Sequence, residues 1–559
     1  MENGKYELFP GIYANKGQTE ALDMLYDFLK SDKIAFILQG RGGTGKTTII
    51  KKMIQNYPGN IGGMAISHKA KKVLGRSIGK ENVMTLASAL CIKLDENTGE
   101  FTPDEYKRKN LSNIPITKLK LILVDEASQI SIPIINEIKK FKTSGAKIIF
   151  IGDDAQLPPI GEDNISSVFK IKNSYTLVEK MRQAATSPII NIGEIVAKNG
   201  LSESPLLHAL SAEHRVNKYD DESGSEVLFE SNEEKVLDMF AEDFKRANDN
   251  VDYCKMVTFN NHLHKSSQSV RALNIKIRKK IWGENSAMYN KGEMLTAYDG
   301  YSKSELVKTR SKTFVKQTPL FDNSEDFIVL DVSAVVQKDV NLEHNQYSKV
   351  TGKTVTHFFN KTYESYDLTV LNKDSEVTYT VPVLTELGKS MFDSDLQELW
   401  KRCKKLYFEA KSVFANLQYA YAITSHKAQG STYINTYVFE DNILGNTNGS
   451  TVEAKNQALY VAVSRPRKKL VILSSRNPVN GKSAEKPEVA TFKIDVTEYI
   501  KATMIKEGEE IAFIGGDGYK NVVSVIDMLI YRADQPKGRV TVTIEKENGD
   551  IKTIKKNLK

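Results

Sequence analysis

Read as apolar and polar positions, the chain is a series of short runs, continuously or largely apolar, separated by longer amphipathic stretches. Runs of this kind occur at residues 34–38, 121–124, 148–151, 253–259, 417–424, 434–440 and 469–475. A run of four to eight apolar residues is the mark of a strand buried on both faces of a parallel sheet, whereas a half-exposed strand alternates. Helical patterning follows the first run as far as Pro58 and recurs in QALYVAVSR, residues 457–465. Strands alternating with helices predict parallel sheets, and two groups of runs predict two of them. Between the groups the period changes to two, in DFIVLDVSAVV, THFFNKTYESYDLTVL and SEVTYTVPVL. That change predicts a small antiparallel domain over 291–415, inserted into the second lobe, with a helical return over 389–417. Beyond Asn477 a polar linker leads to further alternation and a Glu-Asn-Gly-Asp turn, which predicts a separate small β unit with a basic tail over 485–559. The expected organisation is therefore α/β: a first lobe over 1–170 with an insertion near 91–112, and a second lobe over 171–290 and 416–476.

Composition narrows the class without deciding it. The 559 residues are 40% hydrophobic, enough for several cores, and no run reaches the roughly 18 apolar residues of a membrane span. The opening MENGKYELFPG has neither part of a signal peptide, so a cytoplasmic location and no membrane partner are expected. Cys91, Cys254 and Cys403 lie far apart with no paired spacing, which predicts reduced thiols and no structural metal. Lys and Arg outnumber Asp and Glu by 78 to 70, a mild surplus of +8 that suits a polyanionic partner and equally a solvated surface.

Chemistry enters at IAFILQGRGGTGKTTII. Gly40, Gly45, Lys46 and Thr47 fill the G-x-x-x-x-G-K-[ST] pattern between a buried run and a helical stretch. Through Gly42, Gly43, Thr44 and Thr48 the loop can turn backbone N–H groups around phosphates; Lys46 reaches the outer ones, and Thr47 suits Mg²⁺. ATP or GTP binding follows. The run LKLILV ends on Asp125 and Glu126, where Asp125 can hold Mg²⁺ through its coordination shell and Glu126 can polarise a water as general base. AKIIFIGDDAQLPP adds Gln156, whose uncharged amide can sense a terminal phosphate, before a rigid Leu157-Pro158-Pro159 corner. The tetrapeptide Ser-His-Lys-Ala also occurs twice, at 67–70 and 425–428, each copy after an apolar run.

In order and spacing, NKGQ (15–18), GRGGTGKTT (40–48), SHKAKKVL (67–74), TLASAL (85–90), LILVDEAS (121–128), IGDDAQLPP (151–159), EKMRQ (179–183), YAITSHKAQGST (421–432) and LYVAVSR (459–465) resemble the superfamily 1 DNA helicases of the 5′-to-3′ branch, the RecD-like and phage Dda-like enzymes. The resemblance spans about residues 10–475. It implies two RecA-like lobes, a β-hairpin pin near 91–112, an SH3-like accessory domain over 291–415, and ATP-driven 5′-to-3′ travel on single-stranded DNA with duplex unwinding. Residue by residue, it implies that Arg182 and Arg465 point at the terminal phosphate from across the cleft, and that Gly430 brings backbone to the same place. Gln18 would read adenine. Ser67, His68 and Lys69 on one lobe, and Ser425, His426 and Lys427 on the other, would be matched phosphate grips, with Thr85 beside them. Phe101 in the pin is the candidate to stack on the last base pair. Asn323-Ser324-Glu325 resembles the turn opening the accessory domain, although glycine is usual in its middle. The implied partners are single-stranded DNA, duplex junctions and replication proteins, for a monomer-capable enzyme in the cytoplasm, or the host cytoplasm if phage-encoded. Two alternatives stand beside this reading: an RNA helicase or protein-displacing translocase, and an ATP-gated nucleic-acid binding or loading factor.

Overall fold

A computed structural model describes residues 6–477, apart from 56, 95–100, 144, 160–164, 180–186, 203, 248–249, 251, 263–264, 285, 309–312, 348–351, 374 and 446–450, together with five strands beyond 477. Residues 1–477 form one compact unit and 478–559 a second.

The first sheet of the larger unit has six parallel strands, in the order Ser174–Leu177, Ala35–Gly40, Lys147–Gly152, Leu121–Val124, Ile61–Ala65, Val83–Thr85. Its central strands are apolar throughout because helices cover both faces. One face packs Ile37, Met64, Ile122, Val124 and Ile148 against Ile135 and Ile138. The other packs Phe36, Leu38, Leu121, Leu123 and Ile149 against Leu22, Leu25 and Ile50. The edge strand Ser174–Leu177 lies past residue 170, so the first sheet reaches further along the chain than the change of composition suggested.

The second sheet runs Lys218–Asp220, Ser225–Glu230, Pro466–Leu473, Tyr433–Phe439, Cys254–Thr258, Ala422–Thr424, parallel except for its first pair. The helix expected at 457–465 runs Val452–Val463 and is buried from Asn456 onward, where it packs with this sheet and the helix Pro188–Gly200. Ala155 and Leu157, from the first lobe's Ala-Gln-Leu-Pro-Pro corner, pack into the same cluster, so that corner ties the lobes together.

The insertion is an antiparallel sheet of Met294–Ala297, Asp326–Val332, Val336–Tyr347, Thr354–Asn372, Val377–Leu384 and Leu417–Tyr419, beside a separate pair Tyr301–Lys308 and Thr313–Phe321. The run 417–424 is not one strand. Leu417–Tyr419 pairs with the inserted sheet and Ala422–Thr424 with the second parallel sheet, the chain passing from one to the other at Ala420 and Tyr421. An apolar run records burial but not which sheet receives it, so the break has no signature in the pattern. The helical return is two helices, Glu386–Arg402 and Lys404–Lys411, with Cys403 extended between them (φ −155°). Cys91, Cys254 and Cys403 are buried free thiols.

In the smaller unit, Phe492–Ile494 pairs with Ile511–Phe513, and Tyr519–Ile526, Arg539–Lys546 and Ile551–Asn557 form an antiparallel meander. Among the described residues no helix is long and apolar enough to cross a membrane.

Candidate functional site

The phosphate loop follows the strand Ala35–Gly40 and feeds the helix Lys46–Ile54. Gly43 and Gly45 have φ of +81° and +87°, left-handed values that a side chain resists and that turn successive N–H groups toward one point. Thr44 is buried and closes the loop by donating from Oγ1 to the Arg41 carbonyl (2.8 Å), whereas Gly42, Gly43 and Thr47 are exposed and Thr48 is half-buried. Lys46 bends back, its Nζ donating to the carbonyls of Gly40 (2.5 Å) and Arg41 (3.1 Å). Burial pushes its ammonium below the ordinary value, against the attraction of Asp153, Asp125 and Glu126. An ammonium held only by carbonyls in a site of falling polarity is poised to gain a phosphate.

Asp125 and Glu126 stand at the end of the strand Leu121–Val124, beside that loop. Glu126 has φ +53°, an unfavourable left-handed conformation, and its N–H donates to Asp125 Oδ1 (2.9 Å). Burial raises the Glu126 carboxyl and adjacent Asp125 raises it further, while Arg465, Lys46 and a Gln429 hydrogen bond act in the opposite sense. A carboxylate made more basic in this way suits a general base.

The second lobe closes over these groups. Gln429 Nε2 donates to Ser128 Oγ (3.1 Å) and Gln156 Oε1 (3.0 Å), so the amide expected to sense the phosphate is bonded across the cleft. Gly430, at φ +72°, lies so near that a Cβ on it would stand 3.3 Å from Glu126 Oε1. Arg465 is buried at the end of Val452–Val463. Its Nε donates to the Val461 carbonyl (2.8 Å), its Nη1 to the Ser431 carbonyl (3.2 Å) and its Nη2 to Ser464 Oγ (2.7 Å). The fork is fixed before any ligand arrives and its charge acts on Glu126. Arg182, the other expected finger, lies outside the described residues.

Family models match both parts of this cleft. An AAA domain model covers residues 13–221, and a UvrD-like helicase C-terminal domain model covers 419–473. The two lobes are thus similar to an AAA domain and to the C-terminal domain of UvrD-like helicases. It is 24% identical over 473 residues to the ATP-dependent DNA helicase dda of Enterobacteria phage T4, covering 81% of this chain and 97% of that one. It is 25% identical over 483 residues to the RecBCD enzyme subunit RecD of Buchnera aphidicola, covering 80% and 71%. Among solved structures, the Bacteroides Pif1 helicase in complex with ADP-AlF3 and single-stranded DNA is 14% identical with a TM-score of 0.43, covering 83% and 95%. These likenesses, together with the phosphate loop, support a nucleotide-using enzyme.

The two Ser-His-Lys-Ala segments fold differently. Ser67 caps the helix His68–Ile78, accepting from the Ala70 N–H (3.1 Å). In the second copy Thr424 is the cap, accepting from the Lys427 N–H (3.3 Å), and the helix begins one residue earlier, at Ser425. Ser425 is thereby buried, its hydroxyl directed at the Thr258 carbonyl (3.4 Å). The helix starts of the two segments are out of register by one position, because a second capping residue precedes only one of them. His68 Nδ1 is 2.7 Å from Asp322 of the inserted domain, whose carboxyl is held low by His68, Lys71 and Lys72. His426 packs edge-on to Phe259 at 5.5 Å between ring centroids, where burial lowers its pKa. Lys427 lies over the Tyr298 ring at 3.3 Å from its centroid. Burial pulls its ammonium down to about 8, and it has no hydrogen-bond partner among the described residues. The Lys69 side chain lies outside the described residues.

Thr85 is buried and caps the short helix Leu86–Ala89, accepting from the Ser88 N–H (3.2 Å). Ile92–Leu94 pairs antiparallel with Phe101–Pro103, as a hairpin requires; its Asn97-Thr98-Gly99 turn and the Phe101 side chain lie outside the described residues. Gln18 is buried in a capping box, its N–H donating to Asn15 Oδ1 (2.7 Å) and its Oε1 accepting from the Asn15 N–H (3.1 Å). Ser324 carries the left-handed φ, +67°, at the turn where glycine is usual. Beside that turn a cavity of about 400 Å³ is lined by Lys71, Lys72, Arg76, Arg467, Asp322 and Glu325.

Sequence reasoning missed Gln429 in the cleft and, beside it, Arg41, Asp153 and Tyr460. Tyr460 Oη donates to Asp153 Oδ2 (2.6 Å), and Arg41 Nη1 donates to Asp153 Oδ1 (2.6 Å) and Asp154 Oδ1 (2.5 Å). Asp153 stands three residues before Gln156 in a segment that was singled out, so proximity to the motif was the available signal.

Proposed function

We propose that the protein is a helicase that hydrolyses ATP to move 5′ to 3′ along single-stranded DNA and to unwind duplex ahead of it. The observation that carries this reading is one nucleotide cleft furnished by both lobes: Lys46, Asp125 and Glu126 on one side, Gln429, Gly430 and Arg465 on the other. Lys46 leaves the Gly40 and Arg41 carbonyls for the outer phosphates of ATP. Glu126 takes a proton from the attacking water, and Arg465, with Arg182, faces the charge that spreads over the transferred phosphoryl group. The exposed Thr47 hydroxyl and the Asp125 carboxylate are hard oxygen donors of the kind Mg²⁺ prefers, and these two residues would hold it. The ion, when bound with ATP, neutralises phosphate charge.

Segment 425–430 joins the DNA-facing turn to the backbone beside Glu126, so closing and reopening the cleft alternates the hold of the two lobes on the strand. His68 and Lys69 on one lobe and Lys427 on the other are the proposed phosphate contacts. Lys427 must leave Tyr298 to make its contact.

Duplexes bearing only a 5′ or only a 3′ single-stranded tail, in DNA and RNA versions, test the reading. ATP-dependent displacement from the 5′-tailed DNA, lost in Lys46→Ala, is expected. Displacement of RNA as fast as DNA, preference for the 3′ tail, or tight ATP-dependent binding without displacement would each reject it.

A further inference from the structure

Several hydrogen bonds cross the cleft, and one of them continues into the phosphate loop. Tyr460, on the second lobe's helix Val452–Val463, donates to Asp153 Oδ2 at 2.6 Å. Asp153 follows the strand Lys147–Gly152 and is 2% exposed; its other oxygen accepts from Arg41 Nη1 (2.6 Å) and from the Ala155 N–H (3.1 Å). Arg41 lies inside the phosphate loop, and its own carbonyl accepts from Lys46 Nζ (3.1 Å). The path Tyr460, Asp153, Arg41, Lys46 is thus a continuous series of charge-assisted contacts from the moving lobe to the ammonium that meets the phosphates. The Arg41 guanidinium stands 5.8 Å from the Tyr460 ring centroid, so the first and third members of the path also lie against each other.

We propose that Tyr460 is a positioning residue for hydrolysis: through Asp153 and Arg41 it makes the setting of the phosphate loop depend on closure of the second lobe. The proposal rests on the ATPase reading above. When the lobes part, Tyr460 withdraws, and Asp153 keeps Arg41 alone. When DNA favours closure, the phenol returns to Asp153, and Arg41 and the carbonyl that holds Lys46 are fixed in one place. A tyrosine needed only for packing would act through its ring, and phenylalanine would replace it without loss. A hydroxyl buried against a carboxylate acts through its bond, which phenylalanine cannot make.

The test is steady-state ATP hydrolysis by the full chain, with and without a saturating oligothymidine, for Tyr460→Phe, Arg41→Met and the double variant. Each single change is expected to lower the DNA-stimulated kcat about tenfold, and Tyr460→Phe, which leaves the phosphate loop itself intact, to leave the basal kcat within about twofold. The double variant is expected to lose about tenfold as well, because both changes cut the same path. Equal loss of basal and stimulated rates would make Tyr460 a structural residue and overturn the proposal. A hundredfold loss in the double variant would show two independent effects and overturn the relay. An unstimulated natural protein would instead refute the helicase reading, which separates the two failures.

Discussion

Replacing Gly430 by alanine tests whether the approach of the second lobe to Glu126 governs hydrolysis. Two costs can be worked from the structure. At φ +72° a Cβ meets its own backbone, a penalty of about 1–2 kcal/mol for a non-glycine residue. The same Cβ would stand 3.3 Å from Glu126 Oε1 and 3.5 Å from Ala70 Cβ, both on the first lobe, so part of the crowding is relieved by opening the cleft. If about 1–2 kcal/mol is transferred to the closed arrangement, its population relative to the open one falls by roughly 5- to 30-fold. kcat for ATP with saturating single-stranded DNA should fall by that factor. Gly145 is the control: its φ is +77° but nothing lies within 4 Å of an added Cβ. Gly145→Ala should therefore lose about 1 kcal/mol of stability in urea unfolding and keep its ATPase rate. If Gly430→Ala matches Gly145→Ala in both measurements, the contact with Glu126 plays no part in turnover and the closure argument fails.

Two further predictions concern stability. Burial, helped by Arg476 and Arg215 and opposed by Asp441, pushes His208 down to about 4, so in mildly acid solution the unfolded chain binds a proton the folded chain refuses. Its contribution is full above about pH 6.5 and is lost as pH falls toward 4; urea unfolding between pH 7.5 and 5 should show this slope, and His208→Gln should lack that part of it. Arg215 and Glu440 are buried and doubly bonded, Nη1 to Oε2 at 2.7 Å and Nη2 to Oε1 at 3.0 Å. Arg215→Met leaves a bare carboxylate and should cost about 3–5 kcal/mol, most of it regained in Arg215→Met with Glu440→Met; equal loss in single and double variants would contradict this.

Where the sequence was legible, the determinants were local. The phosphate loop needs a strand, glycines at φ +81° and +87° and a helix start, all within about a dozen neighbouring residues, and each leaves its own mark. Asp125 and Glu126 were found because an apolar run ends on them. What stayed hidden depends on partners far along the chain. Tyr460 and Asp153 are separated by 307 positions, and Gln429 and Gln156 by 273, so neither bond alters the pattern around its own residues. The division of residues 417–424 between two sheets is hidden for the same reason, since both halves are equally apolar.

The repeated tetrapeptide shows how little a short match fixes when a neighbouring residue competes for its role. In Ile66-Ser67-His68 the serine is the only capping residue, and it takes the cap. In Ile423-Thr424-Ser425 the threonine precedes it, takes the cap, and sends Ser425 inward to Thr258. The shift suits the second segment's position. It places a four-residue helix, Ser425–Ala428, directly before the Gln429 that bonds Gln156 and the Gly430 that approaches Glu126. Residues 425–430, six positions that include the proposed DNA contact at Lys427, thus run from the Thr424 cap to the glycine beside the Glu126 carboxylate. Drawing Lys427 off Tyr298 must then strain either the cap or the cleft. A cap is worth about 1 kcal/mol, comparable to a single hydrogen bond across the cleft, so neither end is strong enough to isolate the other. On the proposed reading, that balance lets a strand held at Lys427 alter the surroundings of Glu126.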